Sequence, residues 1–104
     1  MSNTKTKKQV EKINEYISKQ GLDLIMTSLA QKYNISIIQS KRFFENAFFS
    51  LLEKVQHKDT YSIYNVVTNL IVKTCNKFEN LKQAEAEILA TDDSELKELF
   101  EKAK

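Results

Sequence analysis

The run Ile37 to Val55, IIQSKRFFENAFFSLLEKV, holds four of the chain's six phenylalanines and constrains the fold more than any other stretch. Wound as a helix at about 100° per residue with Phe44 at zero, it places Ile37, Phe48, Leu51 and Val55 within about 40° of Phe44. Phe43, Ala47 and Leu52 widen the apolar arc to roughly half the circumference, and Phe49 lies further round still. A surface helix shows a narrower stripe, about a third of the way round. This helix is therefore expected to be packed on several sides, as the central rod of a helical domain.

The rest of the chain agrees with a helical reading. It has no proline and one glycine, Gly21, so it has few means of making tight turns or strand bulges. At 104 residues and 41% apolar it suits one domain with one small core. The expected fold is all-α: a compact bundle of about five helices around the Phe-rich helix at 37–56, with a long fourth helix. No run reaches the ~18 apolar residues of a membrane span, so no membrane partner is expected. The N-terminus, MSNTKTKKQ, is basic with no apolar segment after it, unlike a secretory signal. A lone cysteine, Cys75, excludes an internal disulfide and fits a reducing, cytoplasmic setting.

Start and stop signals divide the chain. Residues 1–6 read as a disordered basic tail. A first helix from about Lys7 to Gln20 carries Val10, Ile13 and Ile17 at helical spacing and ends at Gly21, which supplies a positive φ. A second covers roughly Leu22 to Tyr33 and stops at Asn34, a residue that tolerates the left-handed conformation. Ser36 and Gln39 form an S-x-x-Q capping box that starts the central helix. Asp59 or Thr60 caps the fourth. One apolar phase runs from Ile63 to Leu89, predicting a single long helix or two nearly collinear ones. Twenty-eight continuous residues would span about 42 Å, so such a helix either breaks near Asn76–Asn80 or projects. Asp92 and Glu95 resemble another capping box, opening a short helix with Leu96, Leu99 and Phe100.

Enzyme chemistry finds little support. A zinc site needs about four ligands, and the single His57 and single Cys75 fall short. Cys75 lies beside an apolar stripe and reads as a small buried hydrophobe, and His57 as a solvated loop residue. The carboxylates interleave with lysines on polar faces, and no glycine-rich phosphate loop exists. No catalytic residue, metal or cofactor is expected.

Charge is unevenly placed. Residues 1–58 carry ten Lys and Arg against five Asp and Glu, or +5, and residues 59–104 carry six against nine, or −3. A basic front half favours a polyanion.

The segment Ser28–Phe44, SLAQKYNISIIQSKRFF, ends one helix in L-A-x-x-x-N-I-S and begins a capped helix at once. This resembles the helix-turn-helix of DNA-binding proteins, which often read L-A-x-x-x-G-V-S there. The first helix, Gly21, L-A-Q-K-Y-N-I-S and Phe43–Phe44 are similar in spacing to the TetR-type DNA-binding domain over residues 8–50, with one residue missing between Gly21 and Ala30. Two departures stand out. Ser40 and Lys41 occupy positions that are usually apolar or aromatic, and the chain is too short for that family's ligand-binding domain. A rival resemblance, to HU-type architectural proteins over residues 25–55, lacks the glycine-bearing sheet and proline-tipped arm.

The helix-turn-helix resemblance implies a small DNA-binding protein, a transcriptional regulator or an accessory factor of a DNA complex, with its motif at residues 22–46. The first turns of the third helix would enter the major groove of double-stranded DNA. Its non-core side offers Gln39, Ser40, Arg42 and Asn46 to bases, Arg to guanine and Gln or Asn to adenine. Lys8, Lys12, Lys32 and Lys41 would hold phosphates. The alternative is an all-helical interaction or assembly module that binds or inhibits a partner protein without contacting DNA. Phe49, Tyr61, Tyr64 and Val72 leave the main stripes and are its interface candidates, or else second-face core. A homodimer suits both readings.

Overall fold

The structure, a computed structural model, describes residues 7–55 and 59–102. The tail at 1–6 and His57 lie outside the described residues. Six helices follow in order, with no strand among the described residues: α1 (Lys7–Lys19), α2 (Asp23–Tyr33), α3 (Ile37–Lys54), α4 (Thr60–Lys77), α5 (Leu81–Leu89) and α6 (Asp93–Lys102). The class is all-α, as expected, with six helices rather than five.

The central rod is α3. It packs against α1, α2, α4 and α5, which is why an arc of about half its circumference is apolar. Phe44 and Leu51 are fully buried, together with Ile13 and Ile17 of α1, Met26 of α2, Ile63, Val66 and Val67 of α4, Ile88 of α5 and Leu96 of α6. Each such side chain contributes about 1.5–3 kcal/mol of transfer free energy. With neighbours on so many sides, the rod also buries Phe49, which stands about 140° from Phe44 and packs edge-on to Phe48 at 5.3 Å.

The first two joints are closed by backbone conformation. Gly21 has φ 67°, and the N–H of Leu22 donates to the carbonyl of Ile17 at 2.9 Å while that of Gly21 donates to Ser18 at 3.2 Å. This pair of bonds is the Schellman closure, with Leu22 returned over the last turn of α1. Asn34 repeats the device at φ 55°, ψ 52°, and the N–H of Ile35 donates to Ala30 at 3.0 Å.

The predicted long helix is two helices. Phe78 and Asn80 are both extended, at φ −113°, ψ 129° and φ −107°, ψ 127°, and the Asn80 side chain accepts from the N–H of Gln83 to start α5. From that break α5 turns back onto α4 and α3 instead of continuing the line of α4. The molecule's longest dimension is 35 Å, too short for a helix of about 42 Å. Three side chains of the α2–α3 half close this rear half. The Lys54 ammonium donates to the carbonyls of Leu89 (2.7 Å) and Thr91 (3.2 Å) at the end of α5. Lys32 donates to the Cys75 carbonyl near the end of α4, where Tyr33 also donates to the Phe78 carbonyl at 2.7 Å. Cations suit these sites because the last carbonyls of a helix carry its negative end.

Candidate nucleic-acid interface

The unit that positions the candidate contacts is α2, the Asn34 turn and α3. The turn is short because the two ends it joins are each satisfied locally. The Ser36 hydroxyl accepts from the N–H of Gln39 at 3.0 Å, and the Gln39 side-chain oxygen accepts from the N–H of Ser36 at 2.9 Å. Both halves of the capping box are therefore made, and two donors that α3 would otherwise leave open are paired. The small residues Ala30 on α2 and Ser40 on α3 are both buried, on helices that pack together.

The first turns of α3 face solvent. Gln39 and Arg42 are exposed, and Lys41 is half-buried. With Arg42 at zero, Ile38, Asn46 and Gln39 fall within about 60° of it, so one ridge carries all four. Ile38 is 65% exposed and Asn46 half-buried. Of the potential base contacts, Arg42 is the one whose whole donor fork stands on this exposed ridge. Gln39 shares the ridge, but its oxygen already serves the cap, so pairing both its groups with adenine would open the α3 N-terminus.

Ser40 is a correction. It is 0% exposed, and its hydroxyl has no hydrogen-bond partner. It stands one turn before Phe44 and about 160° from Arg42, so it points into the core and cannot reach a base. An unpaired buried hydroxyl costs about 1–3 kcal/mol.

The four lysines expected on phosphates separate. Lys8 is exposed on α1 and Lys41 lies at the flank of the ridge. The ammonium of Lys32 is committed to the Cys75 carbonyl and lies 5.4 Å from the centre of the Tyr33 ring, so its role is internal. Lys12 stands at the mouth of a cleft with Phe48 and Leu52, in the second half of α3, away from the ridge.

The interface candidates also divide. Tyr61 and Val72 are exposed. Phe49 and Tyr64 are buried, and Tyr64 stacks on Tyr16 at 4.3 Å, so these two are core. Leu24, which the sequence reading did not single out, is 75% exposed. With Ile25, Leu29, Ile71 and Val72 it lines a groove of about 280 Å³ between α2 and α4. Its signal was available: Leu24 lies off the face shared by Leu22, Ile25, Met26 and Leu29.

Cys75 is buried, and burial pushes its thiol pKa up, which leaves it protonated and unreactive near neutrality. No helix among the described residues is long and apolar enough to cross a membrane. The chain matches no known protein-family model, no curated protein and no solved structure.

Proposed function

We propose that this protein binds duplex DNA through the first turns of α3, as a regulator or as an accessory factor of a DNA complex. The observation that carries the reading is the exposed ridge of Ile38, Gln39, Arg42 and Asn46, raised on a capped helix behind a tight left-handed turn. Arg42 is the reader, suited to the paired acceptors of guanine, and Ile38 can rest on a thymine methyl. Lys41 and Lys8 supply backbone contacts, and the positive end of α3 adds to them. Two copies would present two such ridges to a symmetric site.

The test is fluorescence anisotropy of the purified chain on random duplex DNA across salt, followed by selection of a preferred site. Binding should fall steeply with salt, as several phosphate contacts require. On the selected site, Arg42→Ala should weaken binding by about 1–3 kcal/mol, roughly 5- to 150-fold, with the thermal melt unchanged. Ser40→Ala should leave affinity as it is. Equal affinity of Arg42→Ala and wild type would remove Arg42 as the reader.

A second reading, a protein-interaction module, is favoured by one observation: Leu24 and Val72 are exposed apolar side chains on one groove. No binding to duplex DNA at low salt would leave this reading in place of the first.

A further inference from the structure

Four aromatic side chains from three helices meet on the side of α3 that faces α1 and the start of α4. Tyr16, Phe48, Tyr61 and Tyr64 line an open cleft of about 630 Å³. Its floor is rigid: Tyr64 stacks on Tyr16 at 4.3 Å and leans on Phe48 at 4.9 Å. The Tyr16 hydroxyl is anchored on the Asn65 side chain at 3.3 Å. Tyr61 makes the wall. It is 55% exposed, and its ring stands at 82° to that of Tyr16 with centroids 5.9 Å apart. Tyr16 is only 8% exposed and has Tyr64 stacked against it, so the open ring face is that of Tyr61, and a flat ring laid on it turns its edge toward Tyr16.

The rim is polar and net positive. Lys12 and Lys19 lie seven residues apart on α1, hence on one face and about 10 Å apart along the axis. Glu15 lies between them, and Thr60 stands across the mouth at the first turn of α4. Neither lysine makes an ion pair with a described residue. An aromatic cage for a cation would need the opposite balance, because two ammonium groups here oppose one carboxylate. Burial raises the pKa values of Tyr16 and Tyr64, so the floor is uncharged near neutrality and presents no phenolate to an anion.

We propose that this cleft binds a planar aromatic anion, its ring against Tyr61 with an edge to Tyr16 and its negative group drawn to the rim ammonium groups of Lys12 and Lys19, which flank Glu15. A nucleoside monophosphate and an aromatic carboxylate share this chemistry. The site uses the second half of α3 and does not depend on the duplex reading.

The experiment is a chemical-shift titration of the isotope-labelled full chain with four probes. AMP and 2-naphthoate carry ring and charge, adenosine the ring alone, and inorganic phosphate the charge alone. AMP or 2-naphthoate should give saturable shifts at millimolar concentration, centred on residues 12–20 and 60–64, with the tighter of the two naming the source. Adenosine should bind more weakly, and phosphate should leave the Tyr61 signals in place. Tyr61→Ala removes an exposed ring and should weaken the better ligand roughly fivefold or more. Lys19→Ala, also at an exposed position, should weaken the anionic probe and leave adenosine unchanged. The proposal is overturned if neither ring-bearing anion saturates, or if the shifts survive Tyr61→Ala at full affinity.

Discussion

At Gly21 and Asn34 the chain turns by adopting positive φ, and each turn is closed by a backbone bond reaching five residues back. At Asp59, Asn80 and Asp92 no described residue has positive φ, and the following helix is started by a side chain that accepts from the N–H three residues on. The first two joints thus each carry a left-handed residue, with the Ser36–Gln39 box added at the second, whereas α4, α5 and α6 start on side-chain caps. The two halves also differ in charge, +5 against −3 over the whole chain. Part of that asymmetry is consumed inside the fold. Lys32 and Lys54 leave the front half to hold the carbonyl ends of α4 and α5. A basic excess in a sequence therefore overstates what a polyanion would meet, because some cations are already serving as helix caps.

The largest expected effect tests whether the two halves fold as one. Phe44 is 1% exposed on the rod that both halves share. Phe44→Ala should cost about 3–5 kcal/mol and lower the urea midpoint of α1 and α4 signals together. Two separate transitions would show that the halves are independent units, and the comparison would then describe two small domains.

Next comes the front-half device itself. A Cβ placed on Gly21 would meet nothing within 4 Å, so Gly21→Ala carries no steric clash with a neighbour. Its φ of 67° alone sets the cost, about 1–2 kcal/mol, read as a lower melting temperature. An unchanged melt would mean the α1–α2 joint relaxes without its left-handed residue.

The same contrast explains how much of the fold could be read from the residues. Gly21, Asn34 and the Ser36–Gln39 box are local chemistry, and each does in the structure what its residue type suggests. The break at 78–80 was harder. Periodicity records which side chains face the core, and both α4 and α5 face the same one, so the apolar phase survives three residues that are not helical. The length of the run points to a break near Asn76–Asn80 as one of two alternatives, and the structure makes it there, with Asn80 as the cap. Asp92 shows a further limit. It accepts from the N–H of Glu95, but the Glu95 carboxylate goes to Lys73 at 2.9 Å, a distant partner that no local motif encodes.

Errors at the candidate site had a different cause. Ser40 is grouped with the non-core side of α3, although it lies about 40° from Phe44 on the helical wheel, inside the apolar arc. Position outweighed residue type, and it is buried. Phe49 and Tyr64 lie off the main stripes yet are also buried, because helices on several sides enclose both α3 and α4. Tyr61, three residues before Tyr64, stays exposed at the open end of α4, where its ring forms the wall of the aromatic cleft. Nothing local to Lys32 marks it as unavailable to a phosphate, because its acceptor, the Cys75 carbonyl, lies 43 residues away.

The smallest effect separates the two kinds of joint by pH. The backbone closures at Gly21 and Asn34 contain no titrating group, whereas α4 is started by a carboxylate. Asp59 accepts from the N–H and the hydroxyl of Ser62, both at 2.9 Å, and these bonds, the backbone one first, hold its pKa below the ordinary 3.8. A carboxyl whose folded pKa is depressed contributes stability that is complete above its unfolded value and is lost as pH falls through the folded value. Acid should therefore loosen the start of α4 before it touches the α1–α2 turn. Amide protection factors, corrected for intrinsic exchange, should fall at Ser62 and Ile63 as pH drops below the ordinary carboxyl value of 3.8, while those at Leu22 hold until the whole domain unfolds. Asp59→Asn keeps a competent cap and carries no titrating proton, so the local acid response at Ser62 should vanish. If Ser62 and Leu22 lose protection together in both proteins, the cap is no weaker in acid than the backbone turn, and the rear half is held at this joint by packing instead.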